Sequence, residues 1–163
     1  MRVSADIEIA APPEAVWAFV SDPVRTLLFM ADVTRWEIAT EHDRGLGARY
    51  RMLMRVRAAE IGGIVEIVEY DEPRDLAWTS VTGIDQRGRW RLRPRGTRRT
   101  HVELRLAAGV SGSGIGGWIA EQVAAPTVRE NLRRSLRELK RQVEHEQARA
   151  AAAAARRGAT SRA

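Results

Sequence analysis

The chain has 163 residues, with 27 basic against 21 acidic side chains and a formal net charge of +6 at pH 7. It contains no cysteine, which excludes a disulfide framework, a thiolate metal site and a cysteine nucleophile. The length suits one domain with a tail, and no stretch approaches the roughly eighteen apolar residues of a membrane span.

Val3 to Ile9 alternates Val3, Ala5, Ile7 and Ile9 with Ser4, Asp6 and Glu8, the period-two pattern of a half-buried strand. Asp6 and Glu8 also interrupt the segment before an apolar signal region can form, so a cytoplasmic protein is expected. Pro12 and Pro13 stop the strand, and Glu14 to Val20 reads as a short helix with Val16, Trp17 and Val20 toward a core. Ser21-Asp22-Pro23 predicts a second helix with proline at its first position.

A second strand is predicted over Thr34 to Thr40, followed by a turn at Gly45-Leu46-Gly47. In Ala48 to Arg57, Ala48, Tyr50, Met52, Met54 and Val56 alternate with four arginines, and only Leu53 spoils the polar face. Gly62-Gly63 precedes a fourth predicted strand, Ile64 to Tyr70, and the fifth carries Leu76, Trp78 and Ser80 on one face. Trp90 and Leu92 lie between Arg89, Arg91 and Arg93 in the sixth, and Val102, Leu104 and Leu106 mark the seventh. Short connections between these strands favour antiparallel neighbours.

After the glycine-rich stretch Gly109 to Gly117, apolar residues at helical spacing predict one long helix from about Gly114 to Gln147. Pro126 falls inside it and should bend it near Gln122. Residues 148–163 form an Ala/Arg-rich tail, expected as frayed helix or disorder, leaving residues 1–147 as the domain. Most of the positive excess belongs to that tail: Arg149, Arg156, Arg157 and Arg162 follow the last acidic residue, Glu146, and 23 basic against 21 acidic residues remain before them.

This order, strand, helix, helix, six strands, helix, resembles the START-like helix-grip (SRPBCC) superfamily, in particular its polyketide cyclase/dehydrase and lipid transport branch. The likeness is carried by IEIAAPPEAVWAFVSDP at 7–23, GLGARYRM at 45–52, VEIVEYDEPRDLAWTS at 65–80, RGRWRLRP at 87–94 and GWIAEQVAAPTVRENLRRSLRELK at 117–140. It implies an α+β fold in which a seven-stranded curved antiparallel sheet, ordered 1-7-6-5-4-3-2, wraps around the long C-terminal helix. It further implies a pocket between sheet and helix, in a fold whose members include lipid and hormone carriers, aromatases, cyclases and quinone-binding helpers.

Tyr50, Met52 and Met54 are the leading candidates to line that pocket, because methionine adapts to irregular ligands and tyrosine adds one orienting hydroxyl. Trp78, Trp90 and Trp118 are candidates for an aromatic wall, whereas Trp17 and Trp36 read as packing. Ser80 and Thr82 could donate hydrogen bonds into the cavity, and Gln122 is the polar candidate on the helix. Glu66 would point inward on a frame shared with Ile64, Val68 and Tyr70, where desolvation would suit it and Tyr50 to acid/base work. A frame shared with Val65 and Ile67 would turn Glu66 outward.

His42, His101 and His145 have no metal-ligand spacing, and no dinucleotide, Walker or GxSxG signature is present, so no metal or other cofactor is expected. The arginine rows of the third and sixth strands read as a solvated outer face. The leading function is binding or transport of a small hydrophobic molecule, whether lipid, polyketide or isoprenoid-like. A polyketide aromatase/cyclase is the catalytic alternative. A third reading has the basic surface and tail engage RNA, ribosomes or, peripherally, a membrane, with nucleic acid disfavoured as partner.

Overall fold

The computed structural model describes residues 1–56, 58–109 and 115–160, with the backbone alone described over 115–124. The elements run β1 (Arg2–Ile9), α1 (Pro13–Val20), α2 (Thr26–Phe29), β2 (Val33–Ile38), β3 (Arg49–Val56), β4 (Ala59–Asp71), β5 (Asp75–Ser80), β6 (Gln86–Pro94), β7 (Thr100–Ala108) and α3 (Ile115–Thr160). The strands form one antiparallel seven-stranded sheet in the order β1-β7-β6-β5-β4-β3-β2. This is the helix-grip architecture, with β2 to β7 following one another as neighbours and β1 closing onto β7.

Strand alternation sets the two faces of the sheet. Val3, Ile9, Val65, Ile67, Leu92, Val102 and Leu104 are buried on the face toward α3. From α3, Val128, Leu132, Leu136, Leu139 and Val143 meet them at intervals of three and four, a single apolar stripe along the helix. The helix packs mainly along β1, with further contacts to α1, α2, β3 and β7.

Two local predictions are corrected, and one orientation left open by the sequence is decided. The second helix does not start at Pro23: the Asp22 carboxylate accepts the Val24 N–H at 2.9 Å, so the chain turns through Pro23 and only Thr26–Phe29 is helical. Such Asx turns compete directly with helix formation. Gly62 and Gly63 lie inside β4 instead of before it, giving a strand of 13 residues. A β-carbon on Gly62 would collide with the Met52 carbonyl, and one on Gly63 with the Thr82 carbonyl, so these glycines permit close backbone approach on both sides.

The open orientation is that of Glu66. Val65 and Ile67 are buried, and the register shifts between Ile67 and Glu69, so that Val68 is 48% exposed while Tyr70 packs inward against Trp17. Glu66 is therefore on the outer face, where its carboxylate accepts a hydrogen bond from Arg49 Nε at 2.6 Å. A bulge lets both frames be correct, one on each side of it.

α3 continues past Gln147 to Thr160, 46 residues in all, and its assignment runs unbroken through Pro126. At a rise of about 1.5 Å per residue it is about 70 Å long. Beyond Glu146 its side chains are largely exposed. Among the described residues no helix is long and apolar enough to cross a membrane.

Candidate functional site: a cavity between the sheet and the long helix

A cavity of about 390 Å³ opens between β3, β4, β7 and α3, with the loop from β5 to β6 on its rim. Met54, Ile61, Ile84, Leu106 and Val128 make its walls apolar. Gly62 and Gly83 contribute main chain to the rim, and Gly83 takes a left-handed φ of +82° against the Gly62 carbonyl. This rim is built from backbone packed on backbone, a geometry glycine alone tolerates.

Gln86 brings a buried carboxamide to the wall, 4% exposed. Its backbone N–H donates to Ser80 Oγ at 3.1 Å and its Nε2 lies 3.6 Å from Met52 Sδ. Two neighbouring side chains thus hold the residue, leaving its carboxamide suited to orient a polar atom of an otherwise apolar ligand.

Deeper in, a compartment of about 20 Å³ shares Met54, Leu106 and Val128 with the main cavity and adds Met52, Trp78, Asn131 and Ser135. That is room for about one water molecule. Its polar groups serve the fold: Ser135 Oγ accepts the Ala31 N–H at 2.8 Å and donates to the Asn131 carbonyl at 2.9 Å, and Asn131 Oδ1 accepts from Arg134 at 2.8 Å. An aromatic group adjoins Trp78 at this inner end. Trp36 stacks on Tyr50 with ring centroids 5.1 Å apart and meets Trp78 edge-on at 6.3 Å.

The predicted lining residues separate accordingly. Met54 lines the main cavity, and Met52 and Trp78 line its inner end. Tyr50 is buried behind Trp36 and its hydroxyl donates to the Asp43 carbonyl at 2.6 Å. Burial, reinforced by the neighbouring Asp43 and Tyr70, pushes its pKa up to about 12, which opposes use as a base. Trp90 packs edge-on against Phe29 at 6.0 Å, in the core and not on the cavity wall. Ser80 braces Gln86, and Thr82 Oγ1 accepts the Ile64 N–H at 3.1 Å. The side chains of Trp118 and Gln122, and residues 110–114 of the glycine-rich stretch, lie outside the described residues.

Sequence reasoning missed Gln86, Ile61 and Ile84. Gln86 was legible in principle: it shares the inward frame of Gly88, Trp90 and Leu92, and a polar residue on an apolar frame is a signal. Ile61 was hidden because its neighbouring glycines read as a turn. Among the described residues no group of three His, Asp or Glu side chains could hold a metal ion.

A curled antiparallel sheet holding a long helix defines the START-like helix-grip fold. The match to the family model for polyketide cyclase/dehydrase and lipid transport spans residues 1–144, and the chain belongs to that family. No curated protein matches the chain in sequence.

Solved structures share the fold. TTHA0849 from Thermus thermophilus is 23% identical with a TM-score of 0.77, the match covering 90% of this chain and 99% of that one. The Zhui aromatase/cyclase from Streptomyces sp. R1128 is 20% identical with a TM-score of 0.74, covering 88% and 93%. A START superfamily protein from Mycobacterium smegmatis is 19% identical with a TM-score of 0.66, covering 88% and 97%.

Proposed function

We propose that the protein binds or carries a small hydrophobic molecule of the lipid, polyketide or isoprenoid-like class in the cavity between the sheet and α3. The observation that carries this reading is the 390 Å³ apolar cavity with the Gln86 carboxamide in its wall. Removing an apolar molecule from water into such a space is favourable by about 25 cal/mol for each Å² buried. The carboxamide would select ligands with one hydrogen-bonding group near that wall.

A catalytic role finds less support, because the two residues considered for it do not reach the cavity. Tyr50 is sequestered behind Trp36, and Glu66 faces outward with Arg49. If the protein turns over a polyketide, Tyr50→Phe and Glu66→Gln should leave the rate within about twofold.

The test is native mass spectrometry of the purified protein, followed by uptake of fluorescent fatty acids and aromatic polyketides by the protein and by Leu106→Trp, which fills the cavity. A defined adduct, or saturable uptake lost in Leu106→Trp, is the expected result. Uptake unchanged in that variant would overturn the assignment to this cavity.

A further inference from the structure

The outer face of the sheet carries a second depression, of about 830 Å³, which shares Leu106 with the cavity against α3. It crosses β1, β7, β6, β5 and β4, and the register shows what surrounds it. Arg2 and Arg87 flank Ala107 from the two neighbouring strands, and Arg105 lies two residues along β7 on the same face. Ser4 stands opposite Arg105, Thr79 stands opposite Arg87, and Arg129 reaches the depression from α3. Since neighbouring strands are about 4.8 Å apart, Arg2 and Arg87 start about 10 Å from each other with only a methyl group between them.

The charges within the depression are unbalanced. Arg49 is paired with Glu66, and Arg93 with Asp75. Within the depression Arg89 is paired with Glu69 and Arg105 with Glu103, but no carboxylate lies within ion-pair distance of Arg2, Arg87 or Arg129 among the described residues. Glu69 is the only acidic side chain among its described lining residues. At the other end the surface turns apolar, with Ala77 and the exposed Val68.

We propose that this depression binds a small organophosphate, its phosphoryl group held over Ala107 by Arg2, Arg87 and Arg105 and its organic part lying toward Ala77 and Val68. Guanidinium groups bind phosphoryl oxygens bidentately, and Ser4 and Thr79 add hydroxyl donors. Single-stranded RNA fits less well: Trp78, the aromatic residue bordering the depression among the described residues, is 4% exposed and offers no stacking platform. A bilayer fits less well because the floor is recessed.

The test is calorimetric titration of the full chain with phenyl phosphate at about 0.15 M salt, where screening suppresses diffuse charge effects. Saturable one-to-one binding is expected, weakened about tenfold or more by Arg87→Gln. Ala107→Leu should weaken it similarly while leaving every charge in place, and both variants should retain uptake of hydrophobic ligands by the cavity. Arg156→Gln in the tail should have no effect. The proposal is overturned by absence of binding, by equal binding in Arg87→Gln, or by an equal loss in Arg156→Gln. Binding to phosphatidic acid vesicles or to single-stranded RNA without binding to phenyl phosphate would overturn it as well.

Discussion

Trp78 occupies space that any side chain at residue 88 would need: a β-carbon on Gly88 would fall within its indole ring. The indole Nε1 is buried without a hydrogen-bond partner, so packing fixes this ring rather than a polar anchor. Gly88→Ala should cost about 1–3 kcal/mol through overpacking and shift the tryptophan emission, measurable by urea unfolding followed by fluorescence. Tyr50 gives a pH prediction. Its folded-state pKa of about 12 exceeds the ordinary value of 10.0, so the folded protein holds this proton more tightly than the unfolded chain. Stability from this group is complete below pH 10 and declines as pH rises from there toward 12. Absorbance titration of the tyrosinate should find one late-titrating residue, lost in Tyr50→Phe. The inward frame of Tyr50 and Met52 was legible because alternation through β3 is unbroken. Glu66 was not, because the shift between Ile67 and Glu69 changes the frame within one strand.

At the scale of elements, the pairing of β5 with β6 is reinforced by one carboxylate. Asp75 has a side chain 10% exposed, with Arg93 Nη2 at 2.8 Å from Oδ2 and the Nε atoms of Arg91 and Arg89 at 3.5 and 3.8 Å from Oδ1. Asp75→Asn leaves three arginines of one strand facing one another without their shared counter-charge. Because those guanidiniums remain partly solvated, the expected loss is about 1–3 kcal/mol, part of it recovered at high salt. Urea unfolding at two ionic strengths checks both statements. The strands themselves were readable from their alternation, but this clamp required the register to place Asp75 beside Arg91. The length of β4 was misread for a related reason: Gly62-Gly63 has turn-like composition, and only the approach of flanking backbone shows why a strand keeps it.

At the scale of the molecule, the order of elements was legible because each strand is short and each break carries Gly, Pro or Asp. The cavity was not. Its volume depends on how far the α3 stripe stands off the sheet, and many of the same apolar residues would appear in a filled core. The helix beyond Val143 has no buried side chain, so removing residues 148–163 should leave the melting temperature within about 2 °C and cavity uptake unchanged. Thermal unfolding and ligand titration of the shortened chain test this. A large drop in either would mean that the extension contributes to the domain.

The main-chain rim at Gly62 and Gly83 has a consequence for how selectivity could evolve or be redesigned. An entrance lined by side chains can be widened or narrowed by one substitution, but this part of the entrance has none to trim, and adding one forces strands apart. Variation should therefore be channelled to Met54, Ile61 and Ile84, which border the same opening and can change size without moving the sheet. A library confined to those three positions should yield folded proteins with altered ligand preference, whereas one at the glycines should yield chiefly misfolded chains.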